Sequence, residues 1–274
     1  MHKGDIEKIE IELLLESIYQ RFGYDFRHYA KASISRRVHN LLKKSGYGEI
    51  SELIPRLLHD ASFLDKIVHH FSIPVTEMFR DPHFFCRLRE IIIPYLKKQS
   101  FIKIWHAGCA TGEEVYSLAI LLQEENIYQR SIIFATDFNP EALKSAKAGI
   151  YSLEHIKKFT QNYQKAGGLY CFSDYYHAHY DAVIINQTLK DQITFAHHNL
   201  VTDSMFSEMH LILCRNVMIY FDKNLQERVF NLFKDSLFPQ GFLCLGNKES
   251  LLFSKAREQF TVIDEQEKIY QKNI

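Results

Sequence analysis

At 274 residues the chain holds one large or two modest domains, and a 46% hydrophobic content is ample for packed cores. Its 33 basic and 33 acidic residues balance, so no global field points to nucleic acid or to an anionic membrane. Cys86, Cys109, Cys171, Cys214 and Cys244 are scattered, odd in number and never spaced C-x-x-C, which argues for a reducing compartment and against zinc or a disulfide scaffold. No apolar run reaches membrane-spanning length and the charged N-terminus lacks a leader core, so a soluble cytoplasmic protein without membrane insertion is expected.

Residues 5 to about 70 read as helices. Ile6, Ile9, Leu13, Leu14 and Ile18 recur at helical spacing as an apolar stripe, which Gly23 ends. From residue 26 to 48 there is no acidic residue, while Arg27, Lys31, Arg36, Arg37, Lys43 and Lys44 are basic. On a helix, Arg36, Lys43 and Lys44 share roughly one face, opposite Ile34, Val38, Leu41 and Leu42. Such a run is either a solvated face or a docking surface for an acidic protein helix or nucleic acid, with Arg36, Arg37, Lys43 and Lys44 as candidates. Helical patterns resume at residues 50–58 and 62–71.

Residues 71–85, F-S-I-P-V-T-E-M-F-R-D-P-H-F-F, form a junction in which Pro74 and Pro82 restrict an aromatic-rich turn. Thr76 and Arg80 are its polar members; Arg80 suits a linker ion pair or a bidentate clamp on a carboxylate. A helical pattern over 84–96 leads into the apolar run 101–106, a buried strand. The run breaks at Gly108, passes through Cys109, Ala110 and Thr111, breaks again at Gly112 and enters a helix at Glu113. Strand, glycine loop, helix is either a tight turn or the geometry that sets backbone N–H groups against a nucleotide-like ligand. The loop is not G-x-G-x-x-G, and Glu113 and Glu114 would repel a pyrophosphate. A ligand with positive charge and no phosphate fits better, and S-adenosylmethionine, with its sulfonium and ammonium groups, is one.

A second strand, 131–136, ends in Asp137, placed either to accept hydrogen bonds from two ribose hydroxyls or to cap the helix over 140–148. Residues 150–198 depart from the α/β rhythm: a helical piece over 152–165, Gly167-Gly168, then strand-like runs at 169–172, 180–186 and 192–196, as in a small antiparallel sheet. Tyr170, Tyr175, Tyr176 and Tyr180, with His177 and His179, belong to that sheet's core or to a peptide-binding edge. His177, His179, His197 and His198 lack matching carboxylate or cysteine spacing, so no metal site is expected. The rhythm returns with a strand over 211–214 ending in Arg215-Asn216, a helix over 225–238, a turn at Pro239-Gln240-Gly241, and strands at 242–245, 259–263 and 268–271. The pattern specifies an α/β protein with a doubly wound, Rossmann-like sheet, whose ligands sit beyond the carboxyl ends of the strands. Gly108, Asp137, Asn199, Arg215 and Asn216 all fall at or just after such ends.

The order of T-E-M-F-R-D-P-H-F-F, W-H-A-G-C-A-T-G-E-E-V-Y-S-L, A-T-D-F-N-P-E-A-L, L-I-L-C-R-N-V-M-I-Y-F-D and F-L-C-L-G-N-K-E-S-L resembles the CheR-type chemotaxis receptor methyltransferases over nearly the whole chain. The resemblance implies S-adenosylmethionine-dependent esterification of glutamate side chains on the cytoplasmic helices of chemoreceptors or related signalling proteins, with S-adenosylhomocysteine as product. It implies an N-terminal all-helical domain over 1–72 and a methyltransferase domain over 73–274, with a β-subdomain inserted at about 150–198. Its cofactor contacts fall on Thr76, Arg80, Glu113, Asp137, Asn199 with Leu200, and Arg215 with Asn216, around the loop glycines Gly108 and Gly112. Two departures are Pro74, where some members have Asn, and His106, which replaces a smaller residue just before the loop.

A substrate glutamate, with an ordinary pKa of about 4.3, is already ionised at neutral pH and needs no general base. The protein's task is to place that carboxylate in line with the methyl group and strip its water. Arg215 and Tyr220 are the residues expected near the reacting centre, in a monomer. Two other classes compete: a cofactor-binding regulatory module with another protein partner or weak catalysis, and a methyltransferase of nucleic acid. The intact loop, Arg80 and Asp137 speak against the first; neutral charge and the lack of a base-clamping Asn/Asp-Pro-Pro-Tyr motif speak against the second.

Overall fold

A computed structural model describes residues 2–72 and 76–274. Pro74, the first departure noted above, lies outside the described residues. The chain divides into two compact units, Met1–Ile73 with Ile219–Arg228, and Pro74–Met218 with Val229–Ile274.

The first unit is helical: α1 (Lys3–Phe22), α2 (Lys31–Ser45), α3 (Leu53–His59) and α4 (Phe63–Phe71). Left-handed glycines, Gly23 and Gly46, stop α1 and α2 where no side chain strains the turn. The expected α1 stripe is half right. Leu14 and Ile18 are buried, with Leu15 beside them, whereas Ile6, Ile9 and Leu13 are exposed. On α2, Ile34, Val38 and Leu41 face the core together with Arg37, which is only 4% exposed, while Arg36, Lys43 and Lys44 face solvent. Residues 219–222 complete this unit. Ala30 N donates to Tyr220 O at 2.8 Å, Asp222 N donates to His28 O at 2.9 Å, and Tyr29 packs edge-on against Phe221 at 5.1 Å.

The second unit opens with α5 (Pro82–Arg87) and α6 (Ile93–Leu96), joined by a π-turn over Leu88–Ile92; Pro94, lacking an N–H, accounts for the irregular turn. Then follow β1 (Ile102–Ala107), α7 (Glu113–Glu124), β2 (Ser131–Asp137), α8 (Pro140–Ala148) and β3 (Ile150–Ser152). After α9 (Ile156–Lys165) come β4 (Tyr176–His179), β5 (Ala182–Ile185), β6 (Ile193–His197) and β7 (Met209–Cys214). The residues of α10 (Lys223–Asp235) are divided between the units, and β8 (Leu237–Leu245), β9 (Phe260–Asp264) and β10 (Ile269–Lys272) close the chain.

Seven strands form one sheet in the order β6-β2-β1-β7-β8-β10-β9, parallel except where β10 pairs antiparallel with β8 and β9. From β1 the chain winds to β2 and β6, then returns to the other side of β1 as β7 and β8. The switch between β1 and β7 opens a crevice at the carboxyl ends. Alternation along β1 sends Ile102, Ile104 and His106 to one face and Trp105 to the other. There Trp105 packs against Phe206 and Phe233 and satisfies its buried indole N–H by donating to Thr136 Oγ1 at 2.8 Å.

The inserted sheet is small and antiparallel, as expected, but its strands are not those expected; the order is β3-β5-β4. Residues 169–172 form no strand. Leu169 N donates to the buried Glu124 carboxylate and Tyr170 N to the Tyr163 hydroxyl, which takes both amides away from any ladder. Residues 193–197 pair parallel with β2 and belong to the large sheet. Strand β3 covers residue 152, where a helix was expected to begin; that helix starts at Ile156. Among the described residues no helix is long and apolar enough to cross a membrane.

Candidate active site

The loop after β1 is held by backbone and carboxylate. Gly108 N and Cys109 N both donate to Thr136 O, at 2.8 and 2.9 Å, and Ala110 N donates to Asp137 Oδ2 at 2.9 Å. Gly108 takes φ +74°, and a Cβ there would stand 2.5 Å from Val217 Cγ2, so only glycine fits. Gly112, at φ +92°, starts α7 with its Cα against Ala146.

Asp137 is buried, and its other oxygen, Oδ1, accepts from Asn139 N at 2.9 Å. The helix cap is Asn139, whose side chain accepts from Glu141 N and Ala142 N. Capping and ligand binding were the two roles open to Asp137, and the cap is filled by its neighbour. With Phe138 N as a third backbone donor, the carboxylate still has acceptor capacity for one further hydrogen bond. Burial raises its pKa, and the backbone N–H donors oppose that rise.

Glu113 and Glu114 are both buried at the start of α7 but differ in charge state. Burial pushes Glu113 up to about 7, opposed only by hydrogen bonds, one of them from Thr111 Oγ1 at 2.7 Å. Burial would also raise Glu114, yet the Arg215 guanidinium and His106 outweigh it and hold its carboxyl at about 2. Arg215 Nη1 donates to Glu114 Oε2 at 2.6 Å and Nη2 to Asp81 Oδ2 at 2.8 Å, with the guanidinium stacked 4.0 Å over Phe84. The Arg215 side chain is 0% exposed.

The segment carrying Thr76 and Arg80, both half-buried, is pinned to this unit at several points. Phe79 N donates to Ser117 Oγ at 2.8 Å, and Asn162 Nδ2 donates to Met78 O at 3.0 Å. Beyond β6, Asn199 turns its side chain onto Val201 N at 3.0 Å, and Leu200 is buried. Beyond β7, Asn216 takes φ +62°; its N–H donates to Glu249 Oε2 at 3.0 Å, and Gly246 N donates to the same oxygen at 2.6 Å.

Gly108, Gly112, Glu113, Asp137, Asn199, Leu200, Arg215 and Asn216 thus gather at the carboxyl ends of β6, β2, β1 and β7. Tyr220, Arg36, Arg37, Lys43 and Lys44 belong to the first unit instead. There the Arg37 guanidinium lies 4.6 Å over the Tyr220 ring, with its Nε and Nη2 lacking hydrogen-bond partners. The sequence reading missed Glu249 and the pairing of Glu114 with Arg215; the F-L-C-L-G-N-K-E-S-L motif contains Glu249, but nothing local marks its partners.

Two family profiles cover the chain: the CheR methyltransferase, SAM binding domain over residues 74–269, and the CheR methyltransferase, all-alpha domain over residues 9–72. The chain belongs to the CheR methyltransferase family. It is 47% identical to a Pseudomonas putida protein that bears the name methyltransferase Cher3, over 97% of each chain. It is 31% identical to the chemotaxis protein methyltransferase of Borreliella burgdorferi, over 93% of this chain and 92% of that one, and 29% identical to that of Escherichia coli, over 89% and 85%. A CheR methyltransferase uses S-adenosylmethionine, and the residues present fit it. Glu113 is a buried carboxylate with no ion pair shown among the described residues, and Asp137 offers acceptor capacity beside the glycine loop.

Proposed function

We propose that this CheR methyltransferase acts in the cytoplasm on the glutamate side chains of methyl-accepting chemoreceptor helices. The observation that carries this reading is Arg37: a guanidinium 4% exposed, stacked on Tyr220, with two N–H-bearing nitrogens unpartnered, on a helix whose exposed face is basic. Burial lowers its pKa. An unpaired buried cation is costly, and a carboxylate admitted to these two nitrogens by a local opening relieves that cost.

In this reading, Asp137 would accept the ribose hydroxyls, Glu113 would face the cationic end of the cofactor, and Arg80 and Thr76 would hold its carboxylate. Leu200 and the Asn199 turn line the base, and the main chain of Arg215 and Asn216 closes the crevice. S-adenosylmethionine supplies an electrophilic methyl group. With the cofactor bound, the glutamate carboxylate oxygen would take that methyl group, leaving a neutral ester and a neutral thioether in place of carboxylate and sulfonium. No proton is transferred, so the protein need only orient the carboxylate and exclude water. The test is transfer of labelled methyl to receptor-containing membranes followed by mild alkali. Release of the label as volatile methanol supports the ester, and alkali-stable label or no transfer refutes it.

A further inference from the structure

Arg215 was expected near the reacting centre, yet its side chain is fully enclosed, with both terminal nitrogens paired and Nε buried without a partner. Its two terminal nitrogens reach Glu114 at 2.6 Å and Asp81 at 2.8 Å, and Nη1 also lies 3.5 Å from the Arg80 carbonyl oxygen. On the far side, Glu114 Oε1 meets His106 Nε2 at 3.1 Å, while His106 Nδ1 is buried without a partner. The row His106–Glu114–Arg215–Asp81 therefore ties the end of β1 and the start of α7 to the corner that carries Arg80.

That corner is strained. Phe79 and Asp81 take φ +51° and +53°, left-handed values that strain a Phe although an Asp tolerates them better, and Arg80 stands between them. One side of the corner is fixed by Ser117 and Asn162. The other is fixed by Arg215. We propose that Glu114, Arg215 and Asp81 are positioning residues that hold Arg80 toward the cofactor carboxylate, with His106 steadying Glu114, and that the Arg215 side chain touches neither cofactor nor substrate. This rests on the assignment of Arg80 above.

The test is a thermodynamic cycle on S-adenosylmethionine affinity, measured by calorimetric titration of the full chain with Arg80→Ala, Asp81→Asn and the double variant. The Asp81 side chain is 35% exposed, so its change leaves the core intact. Arg80→Ala is expected to weaken binding about tenfold or more and Asp81→Asn about fivefold, the scale of charge-assisted hydrogen bonds. In the double variant, Asp81→Asn should cost less than about twofold beyond Arg80→Ala, because coupled residues are not additive. Glu114→Gln, nearly isosteric, gives a second cycle with Arg80→Ala and the same expectation. Losses that multiply in both cycles overturn the positioning role while leaving Arg80 in the site. An Arg80→Ala variant that binds as wild type removes Arg80 from the site and the positioning role with it. A merely structural role for Asp81 or Glu114 would give independent losses.

Discussion

Glu113 makes opposite demands on stability and on binding, and Glu113→Gln separates them. Its carboxyl is raised from 4.5 to about 7 in the folded protein, chiefly by burial. A change of that size corresponds to about 3 kcal/mol between the two protonation states. Because the folded-state pKa is the higher one, the folded chain holds this proton more tightly than the unfolded chain. The stabilisation is complete below about 4.5 and is lost as pH rises through about 7. Above that, the free protein carries a buried carboxylate beside Cys109, Tyr116 and Tyr151, none of which is a cation. Glutamine keeps the shape and still accepts from Thr111. The ligand-free variant should therefore be more stable than wild type at pH 8 by up to about 3 kcal/mol, several degrees in Tm, and no more stable at pH 4.5.

Binding should go the other way. S-adenosylmethionine presents positive charge, so it prefers ionised Glu113, and wild-type affinity should rise as pH climbs from about 6 to 8. Glutamine should bind more weakly at pH 8 and lose this part of the pH dependence. Scanning calorimetry and titration calorimetry on both proteins at several pH values check both halves. A variant less stable than wild type at pH 8, or two proteins with parallel affinity profiles, would refute the reasoning.

Asp137→Ala should weaken cofactor binding by about 1.5–3 kcal/mol and also loosen the loop, since Ala110 N and Asn139 N lose their acceptor; titration calorimetry and amide exchange at those residues check it. Gly108→Ala, which drives a Cβ into Val217, should cost about 1–3 kcal/mol of stability and lower affinity. Adding Val217→Ala should restore part of both, read by thermal melts. Reversing the exposed Arg36, Lys43 and Lys44 to Glu should raise the receptor KM and leave cofactor affinity unchanged, with wild-type transfer falling as salt rises. Arg37→Gln should lower transfer even at low salt, which steady-state assays across ionic strength would separate from the surface effect.

The sheet was legible because its strands are short apolar runs between breaks, and burial on both faces leaves such runs little ambiguity. The first helix was less so. A stripe through residues 6, 9 and 13 and one through 14, 15 and 18 both satisfy helical spacing, and which is buried depends on α3, a partner that spacing alone does not identify. The inserted sheet misled for another reason. Residues 169–172 have strand composition, but Glu124 and Tyr163 claim two of their amides from elsewhere in the chain.

The site divides along the same line. Residues whose place follows from backbone position, such as Gly108, Gly112 and Asp137, could be located from the ends of the strands. Residues whose role follows from pairing could not. Glu113 and Glu114 are identical neighbours in sequence, yet one is held at about 2 and the other rises to about 7. The difference is Arg215, some hundred positions away, which reaches only the second of them. Helical rotation decides this: one residue along α7 turns a side chain by about 100°, enough to move a carboxylate from beside a guanidinium to a place without one. Two adjacent acids at a helix start thus differ in charge state, one an anion paired with Arg215 and one a carboxyl raised by burial. A single exchange of Arg215 for a neutral residue should therefore release the charge state of Glu114 while leaving that of Glu113 nearly untouched.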